Sequence, residues 1–199
     1  MTTTTYTNGR LGNQIFRNLA VSLIAKKHDL YVEYSNFRLF EEIGIQLFIG
    51  KKKFNHTNLL TDDNYFETYE KEFLDYNLNP NKNYFQTKTI SNFLYNYLNN
   101  NDVKNKIIEN NPFKERYNAN NDILVHIRLT DATRFNPGAD YYLNTIGKIK
   151  FDKLYITTDD NKNHTIIKRI ATTYPDLLFV NMNEIKTFQF SSTCKHIIL

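Results

Sequence analysis

Tryptophan is absent from these 199 residues, and cysteine occurs once, as Cys194. One cysteine excludes an intramolecular disulfide and fits a reducing compartment. No apolar stretch approaches the ~18 residues of a membrane span. The start, Met1-Thr-Thr-Thr-Thr-Tyr6, has neither the charged nor the apolar region of a secretory signal. The expectation is a soluble, cytoplasmic protein with no transmembrane segment, peripheral attachment to a membrane being left open. A strong charge of one sign is missing too: 25 Lys and Arg against 21 Asp and Glu give a net charge of +4. Lysine is scattered, with Lys51-Lys52-Lys53 the only run of three. Such a turn is more often a solvated loop than a nucleic-acid patch, so no nucleic-acid partner is expected.

What is present suffices for a core, with hydrophobic residues at 41% and aromatics, all Tyr and Phe, at 15%. The length exceeds a typical single domain and is short for two complete α/β domains. Thr3 to Thr7, β-branched and aromatic, reads as a first strand. Asn8-Gly-Arg-Leu-Gly-Asn-Gln14 follows, then a helix pattern with Ile15, Leu19 and Leu23 in one row and Phe16, Ala20 and Ile24 in the next. Lys26-Lys27-His28 suits the helix C-terminus, and Leu30 to Tyr34 reads as the next strand of a βαβ start. From Asn36 to Asp122 the periodicity weakens. A helix or aromatic-rich loop fits 62–76, a short strand fits Lys82 to Gln86, and helices fit Thr89 to Asn99 and Asn101 to Asn110. The polar stretch Asn118-Ala-Asn-Asn-Asp122 marks the junction, giving an N-terminal α/β domain over 1–118 and a C-terminal Rossmann-like domain over 119–199.

The second part reads β-α-β-α-β. Its strands run from Ile123 to Ile127, Lys153 to Thr158 and Leu177 to Val180, and its helices from Tyr141 to Ile149 and Asn163 to Tyr174. A loop from Ala132 to Asp140 carries Arg134, Pro137 and Gly138. His126, Arg128 and Asp131 lie at and just beyond the carboxyl end of the first strand, where open α/β sheets face their ligands. Alternation along the strand points His126 and Arg128 the same way. A guanidinium for phosphates, a carboxylate to hold it and an imidazole as hydrogen-bonding partner suit a phosphorylated ligand; the alternative is a solvated salt bridge at a strand end. Asp159 and Asp160 end the next strand. They suit the base or ribose of a nucleotide sugar in the same crevice, or a helix N-cap pair. Gly9, Arg10, Gly12, Asn13 and Gln14 form a further candidate, because backbone N–H groups at a helix N-terminus attract anions. This loop is neither a G-x-G-x-x-G fingerprint nor a P-loop, and its glycines equally allow a tight turn with the helix packed on the sheet.

Three landmarks, Gly9-Arg-Leu-Gly-Asn-Gln14, His126-x-Arg128-x-x-Asp131 and Tyr155-Ile-Thr-Thr-Asp-Asp160, resemble in content and order those of the α-1,2-fucosyltransferases, glycosyltransferase family eleven. Ser191-Ser-x-Cys-x-His-Ile-Ile198 is similar to the segment just before that family's Ser/Phe/Trp-rich donor-site motif. The resemblance spans nearly the whole chain, loosely in the middle, and without a Golgi anchor it is to bacterial or viral members. It implies an α/β, GT-B-like fold of two Rossmann-type domains facing a cleft, with GDP-fucose as donor, a galactoside-type glycan as acceptor, inversion at the fucose anomeric carbon, and no cofactor or metal. By position, Arg128 would contact the donor pyrophosphate and stabilise charge on departing GDP. His126 and Asp131 would shape that pocket, Asp159 or Asp160 would lie near the nucleotide, and Asn13 would reach the cleft from the first domain. The general base is not assigned.

The chain departs from the family in two places. Arg128-Leu129-Thr130-Asp131 stands where the family commonly has Arg-Arg-Gly-Asp, so a second cation and a glycine are replaced, with Arg134 a candidate substitute. The Ser/Phe/Trp-rich motif would begin about where the sequence stops, at Leu199, so the second domain is expected to be incomplete. A fucosyltransferase is therefore one reading, and a non-catalytic or truncated nucleotide-sugar or glycan-binding relative the other. A dinucleotide-binding domain draws only on the βαβ start and lacks the third glycine.

Overall fold

The computed structural model describes residues 2–131, 133–160 and 162–199. Two compact units form, Met1–Asn110 and Asn111–Leu199. The fold is mixed α/β, and every strand pair is parallel. Among the described residues no helix is long and apolar enough to cross a membrane.

The first unit is built around α1 (Leu11–His28). Its stretch from Leu19 to Ala25 is buried on every side, including Val21 and Ser22 outside the two predicted rows. A helix buried all round is a core element rather than a surface one. β1 (Thr3–Thr4) pairs with β2 (Val32–Glu33), and β3 (Thr57–Leu59) pairs with β4 (Asn77–Asn79). The Leu78 N–H donates to Thr3 Oγ1 at 2.8 Å, linking the two ribbons. The short helices α2 (Phe37–Glu42) and α3 (Tyr65–Glu70) and the longer α4 (Lys88–Leu98) and α5 (Asn101–Glu109) complete the unit. Tyr65, wholly buried, packs against Phe66, Phe85 and Phe93 and donates its hydroxyl to the Ala20 carbonyl at 3.1 Å.

The second unit is a single four-stranded sheet. β5 (Ile123–Ile127), β6 (Leu154–Thr158), β7 (Leu178–Phe179) and β8 (His196–Ile198) stand in the order β7-β6-β5-β8. Inward Ile123, Val125, Ile127 and Leu129 pack with Ile156 and Ile198 against α6 (Ala139–Ile146) and α7 (Thr165–Thr173). On the other face Leu124 meets Phe190 of α8 (Glu184–Ser191) and Cys194, with Tyr155 and Phe113 beside them. Burial pushes the Cys194 thiol above its ordinary pKa, which the neighbouring Arg116 partly opposes.

Several expectations change. The first strand is limited to Thr3–Thr4, and β3, β4, α8 and β8 carry no clear sequence pattern. Lys82 to Gln86 is not a strand: Phe85 is wholly buried with a left-handed φ of 57°, which breaks extended pairing. The boundary lies at Asn110/Asn111, not after Asn118, because the intervening segment is bonded into the second unit. Asn111 Nδ2 donates to the Gln189 carbonyl at 2.9 Å, and Arg116 pairs with Asp122 at 2.8 Å and donates to Thr193 Oγ1 at 3.0 Å. Ala132, where the predicted loop begins, lies outside the described residues.

His28 closes α1 with a buried ring whose Nε2 has no hydrogen-bond partner. Burial first, then the charges of Lys27 and Lys52, lower its pKa below 6.5 against opposing backbone contacts. The unfolded chain therefore takes up a proton that the folded one resists, so stability is present above pH 6.5 and is lost as pH falls through the lower folded value. Thermal melts from about pH 7.5 to about pH 5.5 should show a decline that is shallower in His28→Gln; an equal slope would exclude His28 as the cause.

Candidate functional site

β5 and β6 run side by side with His126 opposite Thr157 and Ile127 opposite Thr158. Continuing that alternation puts His126, Arg128 and Asp159 on the sheet face that carries Leu124 and Tyr155, while Ile127 and Leu129 turn into the α6/α7 core. β5 is also the strand at which the order reverses, since β6 and β7 lie to one side and β8 to the other. In open parallel sheets, the carboxyl ends at such a reversal are where ligands sit.

Arg128 and Asp131 form a fork: Nε donates to Oδ1 at 2.9 Å and Nη2 to Oδ2 at 2.6 Å. Both side chains are about half exposed, at 42% and 58%. The hydrogen bonds Arg128 donates to Asp131, with the Asp131 and Asp159 charges adding to them, raise the Arg128 pKa, so the guanidinium is fixed as a cation. Nη1 takes no part in the fork and makes no hydrogen bond among the described residues.

Asp159 has a different task. Its Oδ1 accepts the Leu129 N–H and its Oδ2 the Thr130 hydroxyl, each at 2.7 Å. The carboxylate thus clamps the chain as it leaves β5, just where Arg128 must be aimed. Asp160 is exposed, and its N–H donates to Thr158 Oγ1 at 3.2 Å. The N-cap alternative for this pair fails, because the cap of α7 is His164, whose Nδ1 accepts from the Ile166 N–H at 3.3 Å.

Two polar residues that the sequence reading passed over, Thr133 and Asn136, complete the loop. Thr133 Oγ1 donates to the carbonyls of Leu129 and Thr130. Asn136 Nδ2 donates to the Arg128 carbonyl and to the buried Tyr142 hydroxyl, both at 3.2 Å, and its Oδ1 accepts from the Gly138 N–H at 2.9 Å. Gly138 has φ +86°, which glycine adopts without strain. Asn136-Pro-Gly138 is the sequence signal that could have identified this turn. Arg134 lies in the exposed turn, its guanidinium 4.6 Å from the Phe135 ring centre.

The loop before α1, in the first unit, is held from within. Gly9 has φ +91°, and a Cβ there would come within 2.8 Å of Asn13 and of Tyr84, so no larger residue fits. Gly12 has nothing within 4 Å of a notional Cβ, so close packing does not explain it. Gln14 donates to the Gly9 carbonyl at 2.8 Å and is bound by Asn36, while Asn13 Oδ1 accepts from Gln86 at 2.9 Å. Arg10 is the N-cap residue, with no side-chain cap bond, and α1 has no acid in its first turn.

Beneath this loop lies Arg17, wholly buried and missed in the sequence. Nε donates to the Asn83 carbonyl at 2.9 Å, and Nη1 to those of Tyr6 and Asn8 at 2.8 and 3.0 Å. It faces the Tyr84 ring and has no carboxylate partner in any described ion pair. Burial accordingly lowers its pKa.

Among the described residues, no three His, Cys, Asp or Glu side chains gather in the manner of a metal site. Fold and site define a class: a mixed α/β protein with parallel sheets and an arginine–carboxylate cluster at its strand ends. Compared with known protein families and with curated protein sequences, the chain matches none.

If Asp159 clamps the β5 exit, Asp159→Ala should lower stability by about 1–2 kcal/mol in urea unfolding and speed amide exchange at Leu129. Asp160→Ala, lacking those bonds, should stay within about 0.5 kcal/mol of the parent. Equal effects of the two substitutions would refute the clamp.

Proposed function

We propose that this chain is a GDP-fucose-dependent fucosyltransferase of the family-eleven type, transferring fucose with inversion to the 2-hydroxyl of a galactoside. The carrying observation is the Arg128 guanidinium, fixed by Asp131 at the carboxyl end of β5 where the strand order reverses. The second support is the resemblance of Gly9 to Gln14, His126 to Asp131 and Tyr155 to Asp160 to the family's landmarks, which brings with it a GT-B-like pair of Rossmann-type domains. Arg128 is the phosphate ligand in this reading. Its Nη1 can donate to a diphosphate oxygen without loss of the Asp131 fork, and its fixed charge offsets the negative charge that grows on GDP as the glycosidic bond breaks. Asp159 acts through the backbone it clamps.

One observation favours the non-catalytic reading. Leu129, where the family commonly has a second arginine, is only 4% exposed and packs in the α6/α7 core. A cation there would be buried, so leaving-group stabilisation falls more heavily on Arg128.

Calorimetry with GDP, GDP-fucose and UDP tests both readings. GDP and GDP-fucose should bind in preference to UDP, and Arg128→Ala should cost about 1.5–3 kcal/mol of GDP affinity. Absence of GDP binding at millimolar nucleotide sinks the proposal, and an unchanged affinity in Arg128→Ala removes that residue from the site. Binding without transfer to a galactoside selects the non-catalytic reading.

A further inference from the structure

The opposite end of α1 carries a second set of groups that the proposed reaction does not use. At 1.5 Å per residue, the 18-residue helix sets its last turn about 21 Å from its first. The last turn holds Lys26, Lys27 and His28, and Asp29 follows in the left-handed conformation. The Lys51 and Lys52 N–H groups both donate to the Asp29 carbonyl, at 3.0 and 2.8 Å. Two basic stretches distant in sequence are thereby brought to one end of the unit.

Three adjoining recesses open here, of about 420, 690 and 360 Å³, and Lys26 and Tyr97 line all three. Such volumes fall in the range of small-ligand sites. The aromatic wall is Tyr97 with Phe93, which packs edge-on against Tyr69 at 5.1 Å. Gln46, Asn96 and Asn100 add amides that both donate and accept.

Three of the neighbouring cations are engaged, and Lys51 and Lys52 lie outside the lining of the recesses. Lys27 Nζ donates to the Tyr69 carbonyl at 2.6 Å, Lys106 Nζ to Gln46 Oε1 at 3.1 Å, and Lys53 Nζ lies 3.6 Å from the Tyr31 ring centre. Lys26 makes no hydrogen bond or ion pair among the described residues. Among the cations that line the recesses, Lys26 is therefore the available ammonium, set beside aromatic faces and amides. The concave shape also differs from the flat or protruding surface that meets a bilayer.

We propose that this recess binds an acidic sugar, with the carboxylate on Lys26, the ring face on Tyr97 or Phe93, and hydroxyls on the amides. Asp102 lines the recess that also contains Lys106, so the carboxylate end of the ligand lies toward Lys27 and the hydroxyl-bearing end toward Asp102. The site is independent of the nucleotide-sugar reading, because it shares no residue with it.

Calorimetry of the full chain at low salt, with a short oligogalacturonate and its methyl ester, tests the assignment. The acid should bind and the ester should bind about tenfold more weakly, because only the acid pairs with Lys26. Lys26→Ala, a change at an exposed position, should weaken the acid about five- to tenfold and leave the ester unchanged. Tyr97→Leu, which keeps apolar bulk, should weaken both. Equal affinity for acid and ester, no binding of either, or indifference to Lys26→Ala would overturn the proposal. So would tighter binding of an oligouridylate, which would make the surface a nucleic-acid site. Competition by GDP would merge it with the Arg128 site and overturn it equally, whereas failure of GDP to bind anywhere leaves it standing.

Discussion

The parallel register of β5 against β6 is the constraint on which the candidate site depends. With His126 opposite Thr157, the next outward positions are Arg128 and Asp159, and the intervening Ile127 and Leu129 fill the core. Because side chains alternate with a period of two, a slip of one residue would turn the guanidinium into the core and Ile127 and Leu129 out of it. The apolar positions of β5 thus hold the charged ones in place. The Asp159 clamp then extends that order past the last strand residue into the loop that carries Asp131.

Each unit is also pinned by an arginine, wholly buried Arg17 in the first and half-buried Arg116 in the second, and the two are solvated differently. Arg116 has a true counterion, Asp122, whose side chain is 4% exposed, and its guanidinium lies 4.4 Å from the Phe190 ring centre. The Asp122 carbonyl accepts from the His196 N–H at 3.1 Å, so the same residue fixes the starts of β5 and β8. Arg17 is surrounded by backbone carbonyls instead. Carbonyl dipoles offset only part of the cost of burying a cation. In return they tie the segments around Tyr6, Asn8 and Asn83 to one helix, fixing the loop that contains Gly9.

The two ends of α1 divide the chemistry of the first unit. Its start has no acidic residue in the first turn, where the positive pole of the helix lies. Its end gathers lysines, which favour the negative pole of the helix, and only there does an aromatic wall stand beside an unengaged ammonium. The first of these features is carried by a motif, and the second comes from packing.

Local sequence determined the elements with strong periodicity or strong chemistry. α1, α4, α5, β5 and β6 lie close to where spacing puts them, and His126, Arg128 and Asp131 are indeed at a strand end, because a run such as Ile123 to Ile127 can satisfy itself only as a buried strand. Short strands such as Thr57–Leu59 and Asn77–Asn79 leave no pattern of their own, since each exists only through its partner. The placement of β8 beside β5, and with it the reversal of strand order, was likewise a tertiary outcome. So were the role of Asp159, which depends on hydrogen bonds to residues thirty positions away, and the meeting of Lys26 and Lys27 with Lys51 to Lys53. The physical reason is the same in each case. Hydrophobic period and turn chemistry act between neighbours in sequence, whereas register, counterion choice and clustered charge are settled only when distant segments compete for the same buried space.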